Sequence, residues 1–120
     1  MTEQEICISY KGAKNPNEQT QILAELNGTS RNEIIRILVS NDVKLSRTTV
    51  TYLYKRLDQL NERIVRKERK CSELSGDNHY RRLTRLENEI KNDEREYRDI
   101  AKTLILYLSD NSKKGRTGRK

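Results

Sequence analysis

The sequence predicts an all-α protein in which an N-terminal multi-helical head continues into a long antiparallel helical hairpin of the coiled-coil kind. Three observations carry that expectation. The 120 residues contain a single Pro and five Gly, so long stretches run without a breaker. Only 32% of residues are hydrophobic against 36% charged, and Phe and Trp are absent, which suits slim helical packing better than a thick core around a deep pocket. Apolar residues also recur in steps of three and four over most of the chain, the spacing that gathers them on one helix face.

Helix starts are legible because a side-chain acceptor three residues before a Glu can satisfy two backbone donors that would otherwise be unpaired. Thr2 with Glu5 opens a first helix, with Ile6, Tyr10 and Ala13 on one face. Asn15 with Glu18, and Pro16 at the first helical position, opens a second in which Ile22, Leu23 and Leu26 are expected to be buried; Asn27-Gly28 ends it. Ser30 with Glu33 starts a third, Arg31 to about Asn41. Its Ile34, Ile35, Ile37, Leu38 and Val39 cover most of the circumference, as a central scaffold helix requires.

After Asp42-Val43-Lys44-Leu45, Ser46 can cap a fourth helix. The β-branched run Thr48 to Tyr54 favours a strand on local propensity alone. Against that, Val50, Leu53, Leu57, Leu60 and Ile64 form a heptad seam that runs on through Lys67, Cys71 and Leu74. Ser75-Gly76-Asp77-Asn78 breaks it. Leu83, Leu86, Ile90, Asp93, Tyr97, Ile100 and Leu104 then repeat the spacing. A turn centred near Asp77 sets Ile64 opposite Ile90, Leu57 opposite Tyr97 and Val50 opposite Leu104, on arms ~45 Å long. Asp93 and Lys67 interrupt the seam as register-fixing polar residues do, or else lie at a frayed margin. Ile105, Leu106 and Leu108 exceed what one partner helix covers, which points to an association face or to packing back onto the head.

Two helix-turn-helix frames compete in the head. In one, residues 19–26 position and Arg31 to Ser40 enters the groove, but that helix has little polar face. In the other, Arg31 to Asn41 positions, Asp42 to Leu45 turns, and Ser46 to Leu57 reads. Val50, Leu53 and Leu57 then face inward while Ser46, Arg47, Thr48, Thr51, Tyr52, Lys55 and Arg56 present hydroxyl, guanidinium and ammonium groups suited to bases and phosphates. The domain reading is a helix-turn-helix head at 1–57, a hairpin at 47–110 that shares the recognition helix, and a basic disordered tail at 111–120. That tail, through Lys113, Lys114, Arg116, Arg119 and Lys120, supplies five of the +7 formal charge, which calls for a polyanionic partner.

The run Ile34-Ile35-Arg36-Ile37-Leu38 followed by Val43-Lys44-Leu45-Ser46-Arg47-Thr48-Thr49-Val50 resembles the helix-turn-helix of arginine-repressor-type regulators and some transposase DNA-binding domains, over about a fifth of the chain. The resemblance implies DNA contacts at Ser46, Arg47, Thr48 and Thr51. The chain departs from those repressors in continuing as a heptad arm where they form a β-hairpin wing. The segment Tyr10 to Leu38 is also similar to short reading frames of phages and mobile elements of Gram-positive bacteria.

His79 stands alone in an expected loop, Cys7 and Cys71 lie outside any ligand-spaced cluster, and the acidic residues of 87–99 alternate with Lys and Arg. No enzyme, cofactor or metal is therefore expected. No apolar run reaches the ~20 residues of a membrane span, and Met1 to Glu5 lacks the basic start of a signal peptide, so a cytoplasmic location is expected. The functional expectation is a double-stranded-DNA-binding regulator that forms a homodimer or higher homo-oligomer through its hairpin. The alternatives are a phage DNA-packaging adaptor of the small-terminase kind and a host-directed interaction module.

Overall fold

A computed structural model describes residues 1–74 and 80–118, with side chains through Ser109. It consists of five α-helices: α1 (Glu3–Lys11), α2 (Pro16–Leu26), α3 (Arg31–Ser40), α4 (Arg47–Glu73) and α5 (Tyr80–Gly118). No strand occurs among the described residues, and no helix among them is long and apolar enough to cross a membrane. The expected break at Ser75-Gly76-Asp77-Asn78, and His79 beside it, lie outside the described residues.

Local chemistry explains the helix ends. At α1 the Thr2 hydroxyl accepts from the Glu5 amide (3.2 Å) and the Glu5 carboxylate accepts from the Thr2 amide (3.2 Å). At α3 the Ser30 hydroxyl accepts from the Glu33 amide (3.1 Å). The return half of that box is not formed, because the Glu33 carboxylate takes the Arg36 guanidinium one turn on. At α2 the expected box fails: Asn15 has ψ 83 rather than the extended 163 of Thr2, and its side chain makes no cap bond, although Pro16 does begin the helix.

The ends of α2 and α3 share one device. Gly28 and Asp42 both adopt φ 60, and the following amides reach back to seal the helix, Thr29 to the Ala24 carbonyl (3.0 Å) and Val43 to the Leu38 carbonyl (3.0 Å). This is the Schellman arrangement. A Cβ added at Gly28 would meet nothing within 4 Å, so substitution there isolates the conformational cost of a left-handed residue. Gly28→Ala is expected to lower stability by about 1 kcal/mol in urea unfolding; no change would mean the turn had re-formed otherwise.

The chain divides into two units, residues 1–53 with 102–120, and residues 54–101. The first is built on α3, whose Ile34, Ile35 and Leu38 are fully buried and whose Val39 nearly so. The same unit also buries Ile6, Cys7 and Tyr10 of α1, Leu23 and Ala24 of α2, Val43 and Leu45 of the linker, Leu53 of α4, and Leu104 and Tyr107 of α5. The expected burial of α2 is corrected here: Leu23 is buried, but Ile22 and Leu26 are 47% and 69% exposed. The helix turns Thr20 inward in their place. That is possible because the Thr20 hydroxyl donates to the Asn17 carbonyl (2.6 Å) and accepts from Arg31 Nε (2.7 Å), which removes the cost of burying it.

In the second unit α4 and α5 run antiparallel, paired by Arg56 with Glu96 and by Lys67 with Asp93. Leu60 and Ile100 are buried, whereas Leu57, Ile64, Leu83, Leu86 and Ile90 are half-buried, as a seam covered by a single partner must be. Tyr97, expected in that seam opposite Leu57, is 37% exposed. It still lines a groove with Asn61 and Ile64 of α4, and the neighbouring Glu96 grips Arg56 with both oxygens. Cys7 is buried and Cys71 half-buried, and both are free thiols.

α5 continues as helix to Gly118, beyond residue 110 where the sequence reading begins a disordered tail. Residues 111–118 contain no Pro, and Lys and Arg readily extend a helix already nucleated.

Candidate nucleic-acid interface

Both frames have their pair of helices: α2 and α3 are joined through residues 27–30, and α3 ends at Ser40, residues 41–46 turn, and α4 starts at Arg47. Two tyrosine hydroxyls hold that start from within the core. Tyr10 accepts from the Ser46 amide (2.8 Å) and bonds the Thr49 hydroxyl (2.8 Å). Tyr107 accepts from the Leu45 amide (3.2 Å) and faces the Leu45 carbonyl at 3.4 Å. Each satisfies a backbone group that the turn would otherwise leave without a partner.

Ser46 therefore caps the helix. Its hydroxyl accepts from the Thr49 amide (3.2 Å) and bonds the hydroxyls of Thr49 (2.8 Å) and Thr48 (3.0 Å). Sequence reasoning assigned it to DNA; here its oxygen is engaged by the protein. Thr49, given no role from the sequence, is fully buried, and Val50, expected inside, is half-buried.

The remaining residues separate into free and engaged. Arg47, Thr48 and Thr51 are exposed, and among the described residues the side chains of Arg47 and Thr51 make no hydrogen bond or ion pair. Tyr52 is half-buried, with the Arg31 guanidinium 3.8 Å over its ring. Arg31 in turn donates to Thr20 and, through Nη2, to the carbonyl and side-chain oxygens of Asn17 (both 2.7 Å). This chain of polar contacts links α2 and α3 to the second turn of α4. It also commits the first residue of the competing frame's reading helix to an internal role.

In the second unit, Lys55 is exposed. Arg56 is bound bidentately by Glu96, Nε to Oε2 at 2.6 Å and Nη2 to Oε1 at 2.9 Å, and so acts within the hairpin. Lys113, Lys114 and Arg116 fall on the C-terminal part of α5, where side chains are not described, and Arg119 and Lys120 lie outside the described residues.

Arg31, Tyr10, Thr49 and Tyr107 are thus the residues that sequence reasoning missed. Their hydroxyl and guanidinium bonds join positions 11 to 62 residues apart, a separation to which hydrophobic periodicity is blind. Ile105, Leu106 and Leu108 stand exposed on α5 beside the buried Leu104 and Tyr107, so this segment serves the head and still shows an apolar face. Comparison of the chain with protein-family models, curated proteins and solved structures yields no match.

Proposed function

We propose that this chain is a non-enzymatic cytoplasmic protein that binds double-stranded DNA, with α4 as its reading helix, and that it acts as a dimeric regulator. The observation that carries the reading is the division of the first turns of α4: Thr49 and Leu53 are buried, while Arg47, Thr48 and Thr51 are exposed. The reading gives Arg47 the guanine acceptors, Thr48 and Thr51 the adjacent phosphates or thymine methyls, and Lys55, one turn further along the helix, a phosphate. Ser46, Tyr52 and Arg56 become positioning residues, because their polar groups or ring are already engaged. Lys113, Lys114, Arg116, Arg119 and Lys120 add affinity independent of sequence.

Selection from a random DNA pool tests the reading. An enriched motif is expected, and Arg47→Ala should weaken binding to it by about 1–3 kcal/mol with unchanged helicity. Failure to enrich any motif, or equal affinity of the Arg47 variant, overturns it.

The exposed Ile105, Leu106 and Leu108 support self-association, since clustered apolar side chains on a small protein mark interaction surfaces. A two-fold dimer predicts inverted half-sites about one DNA turn apart, ~34 Å. A ring of many subunits in sedimentation would instead favour the packaging-adaptor reading.

A further inference from the structure

Charge is unevenly distributed along the second unit. From Arg63 to Arg85 the sequence holds eight Lys and Arg against Glu68, Glu73 and Asp77, whereas Leu86 to Asp99 holds six carboxylates against Lys91, Arg95 and Arg98. A face that merely keeps a helix solvated balances the two signs; here 63–85 has five more cations than carboxylates (eight against three).

Two of the eight cations, Arg63 and Lys67, are paired with Asp93. The other six, Arg66, Arg69, Lys70, Arg81, Arg82 and Arg85, are exposed, and among the described residues none is held in an ion pair. Three of them converge. Lys70 of α4 with Arg82 and Arg85 of α5 line a groove of about 370 Å³, together with Glu73, Leu74 and Leu86. Among the described residues that line it, three cations stand against one carboxylate, Glu73.

We infer that this end of the hairpin is a second polyanion-binding surface, which takes the phosphodiester backbone of nucleic acid without reading its sequence. Guanidinium forks match phosphate oxygens two at a time, and an ammonium adds a point charge. Like charges that outnumber the carboxylates beside them repel one another, and a bound polyanion relieves that repulsion. The described residues that line the groove are three long flexible cations, Glu73 and two leucines, and among them is no aromatic ring, amide or hydroxyl to distinguish one base from another. The groove shares no residue with the first turns of α4, so it stands or falls independently of the reading helix.

The test titrates the full chain with a random-sequence duplex at several salt concentrations. The variant Lys70→Gln/Arg82→Gln/Arg85→Gln is expected to lose tenfold or more in affinity at low salt. Its log-log salt dependence should be shallower by about 0.9 for each phosphate contact removed. The charge-conserving variant Lys70→Arg/Arg82→Lys/Arg85→Lys should retain both. Arg82→Gln alone, at an exposed position that leaves folding intact, should remove about one contact from the slope. Arg47→Ala in the same titration should change the slope by no more than one contact, so a loss confined to either variant separates this surface from the reading helix.

Unchanged affinity and slope in the triple glutamine variant would overturn the inference. So would displacement of the duplex by polyglutamate as effectively as by competing DNA, which would make the partner an acidic protein. Loss of self-association with an intact salt slope would also overturn it, by assigning the groove to the acidic 86–99 stretch of a second copy.

Discussion

Replacing Leu104 by alanine is expected to destabilise the protein by about 2–5 kcal/mol, the cost of emptying a well-packed leucine site. The melting temperature should fall by several degrees for each kcal/mol lost. The size of the effect follows from where α5 returns. Leu104 is 4% exposed in the same unit as α1, α2 and α3, so a helix distant in sequence completes the core of the head. A head of about 50 residues without it buries too little apolar surface to be robust.

Ile105→Ala, one position along and 65% exposed, should stay within about 0.5 kcal/mol in the monomer and show its effect in sedimentation instead. If Leu104→Ala and Ile105→Ala proved equally mild in urea and thermal unfolding, the end of α5 would not belong to the core. The comparison also separates two roles that heptad spacing alone merges: Ile100 and Leu104 are buried within one chain, so charged substitutions there report on folding and cannot be read as interface mutations.

The sequence made the helices and their order legible because those depend on local rules. Thr2 with Glu5, Pro16, and Ser30 are short-range signals, and each marks the helix start that is found. The hairpin was legible because its seam repeats over many turns, and an error of one residue would have spoiled every later position. The buried face of α2 was not. Ile22 and Leu26 outrank Thr20 on any hydropathy scale, yet Thr20 is the buried residue, because Arg31 and the Asn17 carbonyl satisfy its hydroxyl.

The same limit applies to the candidate interface. Residue type suggested that Ser46, Tyr52 and Arg56 point at DNA, but whether a polar group is available depends on what the fold sets beside it. Tyr10, Arg31 and Glu96 are those neighbours. Only the last could have been anticipated, by projecting the hairpin register from Leu57 and Tyr97 to the adjoining Arg56 and Glu96. The basic end of the hairpin was equally available in the sequence as a run of charge. What the sequence lacked was the pairing of Arg63 and Lys67 with Asp93, which distinguishes the cations held in an ion pair from those that are not.

That pairing yields the second large effect. Asp93 is a carboxylate whose side chain is only 8% exposed, with Lys67 Nζ at 2.8 Å and Arg63 Nη2 at 3.3 Å. Lys67 is itself mostly covered, at 18%, whereas Arg63 at 41% can turn to water. Removing the carboxylate alone leaves the lysine charge in the seam without its counter-ion, and breaking a buried pair in this way costs about 3–5 kcal/mol. Since Lys67 keeps some access to solvent, Asp93→Ala is expected near the lower end of that range in urea unfolding.

Removing both charges is different. In the double variant Lys67→Leu/Asp93→Leu, apolar side chains fill the same seam positions without any desolvation cost, so stability should return to that of the parent or exceed it. The loss should appear instead as register. A polar pair inside an apolar seam penalises alignments that separate its members, and without it Leu60, Ile64, Leu86 and Ile90 can meet in more than one alignment or across two chains. Sedimentation of the double variant should then show a broader distribution of species than the parent, and hydrogen exchange along α4 should be faster despite the equal or higher melting temperature. A double variant that is less stable than Asp93→Ala, or one that is more stable and still a single species with parental exchange rates, would show that the pair does not set the alignment of the two helices.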